Sequence, residues 1–179
     1  SKKGDTISDR VALQVLNKHF PKFKKYSWFD RASDERQYCS PGIDLPISSV
    51  MRTKYGSYKE YHTSLDKLNT VVKPAGLKKS FEIYKTIILT LEKNIYLKAR
   101  NLCEPNLGKR NLYNLIGGLT KKDKKSQKNF QSKLILDILS FSDGKNSLLD
   151  ISEKCGITML ELTKVIKLLN KKNLVKLLN

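Results

Sequence analysis

A chain of 179 residues with 39% hydrophobic content can form one domain or two small ones, and its apolar residues cluster enough to build a core. No run of about eighteen apolar residues occurs, which excludes a membrane-spanning helix, and the opening Ser1-Lys2-Lys3-Gly4-Asp5 carries no apolar signal segment. The formal charge of +18 invites a nucleic-acid partner, but residues 1 to 103 carry 20 Lys and Arg against 10 acids, and residues 104 to 179 carry 15 against 7, so the excess is spread along the chain.

Only Lys121, Lys122, Lys124 and Lys125 form a dense basic run, read as a solvated linker in preference to a phosphate-binding patch. Cys39, Cys103 and Cys155 lie far apart and form no CxxC pair. That argues against a disulfide scaffold or a cysteine zinc site and fits a reducing cytoplasm, the expected location.

Ser8 reads as the N-cap of a first helix, with Asp9 in its first turn. Val11, Ala12, Val15, Leu16 and His19 follow at helical spacing, and the helix stops before Pro21. His19 then sits at a helix C-terminus, where a cation or a donor to free carbonyls is favoured, so its role is structural. Residues 22 to 46 are aromatic and turn-rich. Ile47 to Met51 is a short apolar run compatible with a buried strand, and Tyr55 to Tyr61 is a Tyr- and Gly-bearing loop.

From Pro74 to Leu97 the pattern is helical. Leu77, Phe81, Tyr84, Ile88, Leu91 and Ile95 mark one face, and Ile87 and Leu89 widen it, so this helix is expected to pack on two sides. Leu102 to Tyr113 reads as a connector broken by Pro105 and Gly108, and Gly117-Gly118 with the Lys run marks a domain boundary.

The last fifty residues are the most legible. Phe130 to Phe141 is a helix with Leu134, Ile135, Ile138 and Leu139 inward, Asp143-Gly144 a turn, and Leu148 to Lys154 a second helix. Thr158 caps a third helix through Asn170, with Glu161 completing a capping box, and Leu174 to Leu178 returns as a strand. Ile151, Cys155, Ile157, Leu162 and Val165 around Gly156 have helix-turn-helix spacing, followed by the strand of a winged helix. The third helix offers Thr158, Met159, Glu161, Thr163, Lys164 and Lys167 as surface candidates. It has no Arg to read guanine edges, so Lys164 and Lys167 are the nucleic-acid candidates and a packing or protein-contact role is favoured.

Chemistry-bearing residues concentrate in two segments, SDERQYCSPGIDLP (33–46) and YHTSLDKL (61–68). His62 sits in the second, with Asp66 four residues on and Asp30, Asp34, Glu35 and Asp44 nearby in sequence. A carboxylate beside a His orients the ring and raises its basicity as a metal ligand. Zinc needs three or four protein ligands, and neither an HExxH motif nor a nucleophile elbow is present, so the residues alone make a fragment of a site.

These segments, with MRTKYGSYKEYHTSLDKL (51–68) and CEPNLGKRNLY (103–113) in the same order, resemble the C-terminal part of the co-catalytic zinc aminopeptidase superfamily. More narrowly, they resemble bacterial aminopeptidase-like proteins that carry a C-terminal winged helix. The resemblance implies an α/β aminopeptidase-like domain, a mixed sheet flanked by helices, over residues 1–119. A Lys-rich linker (120–129) and a small winged helix-turn-helix domain (130–179) follow.

It further implies a zinc-dependent hydrolase of peptide or amide bonds with two zinc ions, and a link to surface-polysaccharide biosynthesis. His62 becomes the last metal ligand and Asp66 its partner behind the metal. Asp34, Glu35, Arg36 and Tyr38 line or brace the substrate pocket. Many such proteins have His after Ser-Asp where this chain has Glu35, so its pocket polarity should differ. No catalytic residue is assigned in this chain: the general-base Glu and the other ligands belong upstream. The 179 residues are therefore expected to be a fragment, inactive alone, whose partners are the missing N-terminal half and an amide-bearing substrate. The alternative is a winged-helix protein binding nucleic acid or a regulatory partner, with a degenerate, non-catalytic N-terminal domain.

Overall fold

Helix stop signals and capping residues set the local architecture, and a computed structural model describes residues 1–112 and 125–178. These divide into two units, Ser1–Leu91 and Glu92–Asn179. The expected boundary at Gly117-Gly118, Tyr113, and linker residues 120–124 lie outside the described residues.

The first unit opens with helix α1 (Ile7–His19). Its N-cap is Thr6, not Ser8: the Asp9 carboxylate accepts from the Thr6 N–H at 3.0 Å and so completes a capping box. The Ser8 hydroxyl instead donates to the Pro46 carbonyl. α1 buries Val11, Ala12 and Val15 and ends ahead of Pro21, as the sequence predicts. A 3-10 turn (Trp28–Asp30) and the short helix α2 (Glu35–Tyr38) follow, and then a long irregular stretch runs to helix α3 (Pro74–Glu92). Ile47–Met51 forms no strand; it is tied to α3 by the Tyr84 hydroxyl, which donates to the Val50 carbonyl.

α3 turns a different face inward from the one its periodicity suggests. Ile83, Ile87 and Thr90 are buried, while Leu77, Phe81, Tyr84 and Ile88 are exposed by 45 to 63%. Apart from Leu89, its large apolar residues fill a broad sector from Ile83 round to Phe81, nearly half of the circumference, so spacing alone does not select which edge is buried. The described residues of this unit form no strand beyond an isolated Leu68–Val72 bridge, so the mixed sheet implied by the resemblance is not built from them.

The second unit holds strand β1 (Tyr96–Ala99), helix α4 (Lys125–Ser140), strand β2 (Asp143–Ser147), helices α5 (Leu148–Lys154) and α6 (Met159–Lys171), and strand β3 (Val175–Leu178). The sheet order is β2-β1-β3, antiparallel throughout, so β1 is the central strand. Helical periodicity runs through Tyr96 and Leu97, and the resemblance implies a winged domain only from residue 130. Pairing of Tyr96 with both Ser147 and Leu178 moves the start of this unit upstream. Asp143-Gly144, expected as a turn, opens β2. Gly144 has φ +85 where β1 and β2 slip register, a conformation that disfavours any side chain.

α5 and α6 match their predicted bounds to within one residue. Ser147 caps α5 with Asp150, and Thr158 caps α6 with Glu161, whose carboxylate accepts from the Thr158 N–H at 2.9 Å. Gly156, with φ +66, makes the turn between them. Leu97, Ile135, Ile138, Leu149, Ile151, Leu162, Leu169 and Leu174 form the core. No helix among the described residues is long and apolar enough to cross a membrane.

Candidate functional site

The 33–46 segment folds around one buried carboxylate. Glu35, at the start of α2, accepts the Tyr55 hydroxyl at 2.8 Å, the N–H groups of Ala32 and Ser33 at 3.2 and 3.4 Å, and the Ser49 hydroxyl at 3.3 Å. Burial works to raise its pKa, but the Tyr55 hydrogen bond and the backbone N–H groups outweigh it and hold the carboxyl below its ordinary value. Tyr55 is pushed up by burial and then by its bond to Glu35, so it stays a donor. Glu35 is thus a fully engaged anion that clasps the loop to residues 49–55, and it is not a free acid or base.

Cys39, only 1% exposed, donates its thiol to the Leu45 carbonyl at 3.2 Å, and the Leu45 N–H closes the loop on Tyr38 at 2.8 Å. Asp34, Arg36 and Tyr38 are exposed and point outside the cavities described below.

The 61–68 segment is a chain of tight turns. The Thr63 N–H and hydroxyl both reach the Glu60 carbonyl, at 3.0 and 2.7 Å, and the Asp66 N–H reaches the Thr63 carbonyl at 3.1 Å. His62 lies between these turns at φ 59, a left-handed conformation uncommon for a residue with a side chain. Its ring is exposed and stacks on Tyr61 at 4.0 Å, so it is not a packed core histidine. Tyr61 meets Tyr58 edge-on at 5.6 Å, and the Tyr58 hydroxyl donates to Asp66 at 2.9 Å. That bond, with burial second, raises the Tyr58 pKa. Asp66 is therefore Tyr58's acceptor, and among the described residues no hydrogen bond joins it to His62.

The Tyr- and Gly-bearing loop links both segments, Tyr55 to Glu35 and Tyr58 to Asp66. A hollow of about 380 Å³ is lined from both sides by Ser33, Ser49, Tyr55 and Tyr58, with Tyr84 of α3. A larger cleft of about 580 Å³ shares Ser49 and Tyr55 and also holds Glu35, Asp30 and Arg52. Tyr55, Tyr58 and Tyr61 recur every third residue, the one signal in the sequence that these rings share a surface.

No group of three His, Cys, Asp or Glu side chains among the described residues could hold a metal ion. One exposed His does not fit a resident zinc ion, which needs three or four protein donors. No chemical step through a metal follows from these residues alone.

In the second unit, α6 leaves less for recognition than its sequence suggested. Met159 is buried, Thr158 and Glu161 are spent in the capping box, and the Thr163 hydroxyl donates to the Met159 carbonyl at 2.7 Å. Lys164 and Lys167 stand exposed opposite the buried Leu162, Ile166 and Leu169.

A tyrosine-hydroxyl clasp on a buried carboxylate, a left-handed exposed His and a helix-turn-helix unit are the features for comparison with other proteins. The family described as "Domain of unknown function (DUF4910)" matches residues 1–94, and one described as "winged helix-turn-helix" matches residues 94–177. The chain belongs to the DUF4910 family. Its second unit is a winged helix-turn-helix domain, and the junction of the two matches falls within a few residues of the structural division after Leu91.

A relative from Clostridium acetobutylicum, named "Putative polysaccharide biosynthesis protein with aminopeptidase-like domain", is 42% identical over 158 residues, 88% of this chain and 35% of the relative. A crystal structure titled as a "putative peptidase" from the same organism covers 99% of this chain and 37% of its own, at 35% identity and a TM-score of 0.77. The chain thus spans about a third of the length of each protein it matches.

Proposed function

We propose that this chain belongs to a metal-dependent, zinc-using hydrolase of peptide or amide bonds, aminopeptidase-like, and supplies part of the wall of its site. The carrying observation is His62. It is exposed, it is held in a left-handed turn by flanking hydrogen bonds, and it stacks on Tyr61, which meets Tyr58 edge-on, in the part of the chain that matches proteins named for peptidase character. In this reading His62 is the one metal ligand of the chain. The other donors and the general base come from the further two thirds of polypeptide that the relatives possess, and two zinc ions sit in the completed protein. Asp34, Arg36 and Tyr38, exposed beside the Glu35 clasp, face the substrate.

The exposed apolar stripe Leu77–Phe81–Tyr84–Ile88 on α3 supports a longer protein, because a contiguous apolar face of this kind marks an interaction surface. The occupant we assign to it is that additional polypeptide. The name of the Clostridium relative supports a role in polysaccharide biosynthesis. In this reading the product is a surface polysaccharide and the substrate an amide-bearing sugar or peptide. Three cysteines without a disulfide support a cytoplasmic setting.

The test is His62→Ala in the full-length protein. Loss of at least about a hundredfold in turnover of an amide substrate panel is expected, together with a fall in bound zinc. Unchanged turnover with full zinc occupancy removes His62 from the ligand set.

A second reading is favoured by one observation: α6 is capped, amphipathic and exposes Lys164 and Lys167. In this reading the winged unit binds nucleic acid or a regulatory partner.

A further inference from the structure

The larger cleft of the first unit has a composition that the hydrolase reading does not use. Six cations line it: Lys22, Lys24, Lys25, Arg31, Arg52 and Lys54. None of the six forms an ion pair with a carboxylate among the described residues, where the recorded pairs are Ser1–Asp9 and Lys2–Asp44. The three acids in the cleft are already engaged. Glu35 is held by Tyr55, Asp30 accepts the Ser27 N–H and hydroxyl at 3.0 and 2.9 Å, and Asp9 closes the α1 capping box.

Two of the cations are positioned by rings. The Arg31 guanidinium lies 4.7 Å over Trp28, and the Lys54 ammonium lies 5.2 Å from both Tyr26 and Tyr55. A third, Arg52, runs alongside Gly76 of α3, where its Nε would sit 3.3 Å from an added Cβ. The absence of a side chain at Gly76 leaves the guanidinium its place. Six cations against three carboxylates that are already hydrogen-bonded leave the cleft with a surplus of positive charge, which attracts an oxyanion and makes each hydrogen bond to it charge-assisted.

The neighbouring hollow is of different character. Seven of its nine lining residues carry hydroxyls, and Ser48, Ser49, Thr53 and Tyr55 belong to both cavities. Ser49, Tyr55, Tyr58 and Tyr84 already donate, to Glu35, Asp66 and the Val50 carbonyl, so their oxygens accept; together with the Ser33, Ser48 and Thr53 hydroxyls they match the donors and acceptors of a polyol. The volumes, about 580 and 380 Å³, suit a small molecule.

We infer that these joined cavities bind a saccharide bearing an oxyanion, carboxylate or phosphate. The anion sits on Arg52, Lys54 and Arg31, and the sugar hydroxyls lie along Ser48, Ser49 and Tyr55. His62 lines neither cavity. Binding to the cleft is therefore measurable on this chain with no hydrolysis, and its failure leaves the His62 assignment where it was.

The test is calorimetric titration of the 179-residue chain with glucuronate, glucose 6-phosphate and glucose at physiological salt. At least one of the two anionic sugars binds saturably and glucose does not. The tighter anion identifies the carboxylate or the phosphate as the natural group. Combined Arg52→Gln and Lys54→Gln weakens binding about tenfold or more. Lys24→Gln with Lys25→Gln, both exposed and neither hydrogen-bonded to Glu35, weakens it in the same direction should the first pair not fold. Lys78→Gln with Lys79→Gln, an equal charge loss on exposed α3 positions outside the cleft, changes nothing. Binding of neither anion, equal binding of glucose, unchanged affinity in the cleft variants, or an equal loss in the Lys78 and Lys79 double variant overturns the proposal.

Discussion

Leu97→Ala is the perturbation that most directly probes where the winged unit begins. Leu97 has no exposed surface and lies on β1, which pairs with β2 on one side and β3 on the other. Truncating a fully buried leucine costs about 2–5 kcal/mol, and flanking strands that limit collapse keep the loss at or above about 3 kcal/mol. A unit of this size has roughly 4–13 kcal/mol of stability in all. Each kcal/mol corresponds to about 4–8 °C in a domain of 60–100 residues, so Tm should fall by about 12–24 °C or more.

The assay is thermal and urea unfolding of fragment 92–179 by circular dichroism, with Tyr96→Thr as the control. Tyr96 is on the same strand but 46% exposed, and its replacement by another strand-forming residue should cost less than about 1 kcal/mol. A fragment beginning at residue 120 lacks the central strand, so β2 and β3 have no partner, and it should show no cooperative transition. The reasoning is refuted by a Leu97→Ala shift as small as that of Tyr96→Thr. It is refuted equally by a cooperative fragment 120–179, or by a wild-type fragment 92–179 that does not fold.

Glu35 supplies a pH test. Its folded pKa lies below the unfolded value of about 4.3, so its contribution is complete above that value and is lost as pH falls through the folded one. Unfolding followed by Trp28, the single tryptophan, should lose stability below about pH 4.3 more steeply in wild type than in Glu35→Gln; parallel profiles would remove the clasp from the stability of this unit. Glu35→Gln should also be less stable at neutral pH, by about 1–3 kcal/mol, because Tyr55 and the Ala32 and Ser33 N–H groups lose a charged acceptor. For the winged unit, double substitution of Lys164 and Lys167 by Gln should lower retention on a DNA column and flatten its salt dependence by about two phosphate contacts. An unchanged salt slope would assign the domain to protein contacts.

Much of the winged domain, and helix α1 of the first unit, was legible from sequence because the signals are local. Thr158 with Glu161 bounds α6 within three residues, Gly156 makes the α5–α6 turn, and Pro21 stops α1; each is a short-range hydrogen-bond or steric requirement. The candidate site was legible only in part. His62 and Glu35 stand out by residue type, but the partner of Glu35 is Tyr55, twenty residues away, and Asp66 serves Tyr58.

Sequence by itself therefore determined the charge, the helices with their caps, and the helix-turn-helix. Tertiary structure decided the rest. It inserted Tyr96–Ala99 as the middle strand, pairing Tyr96 with Leu178 about eighty residues on, a contact that no local pattern encodes. It also chose Ile83, Ile87 and Thr90 as the buried side of α3. On a helix whose apolar face is this broad, what packs against it decides which edge turns inward, and periodicity does not.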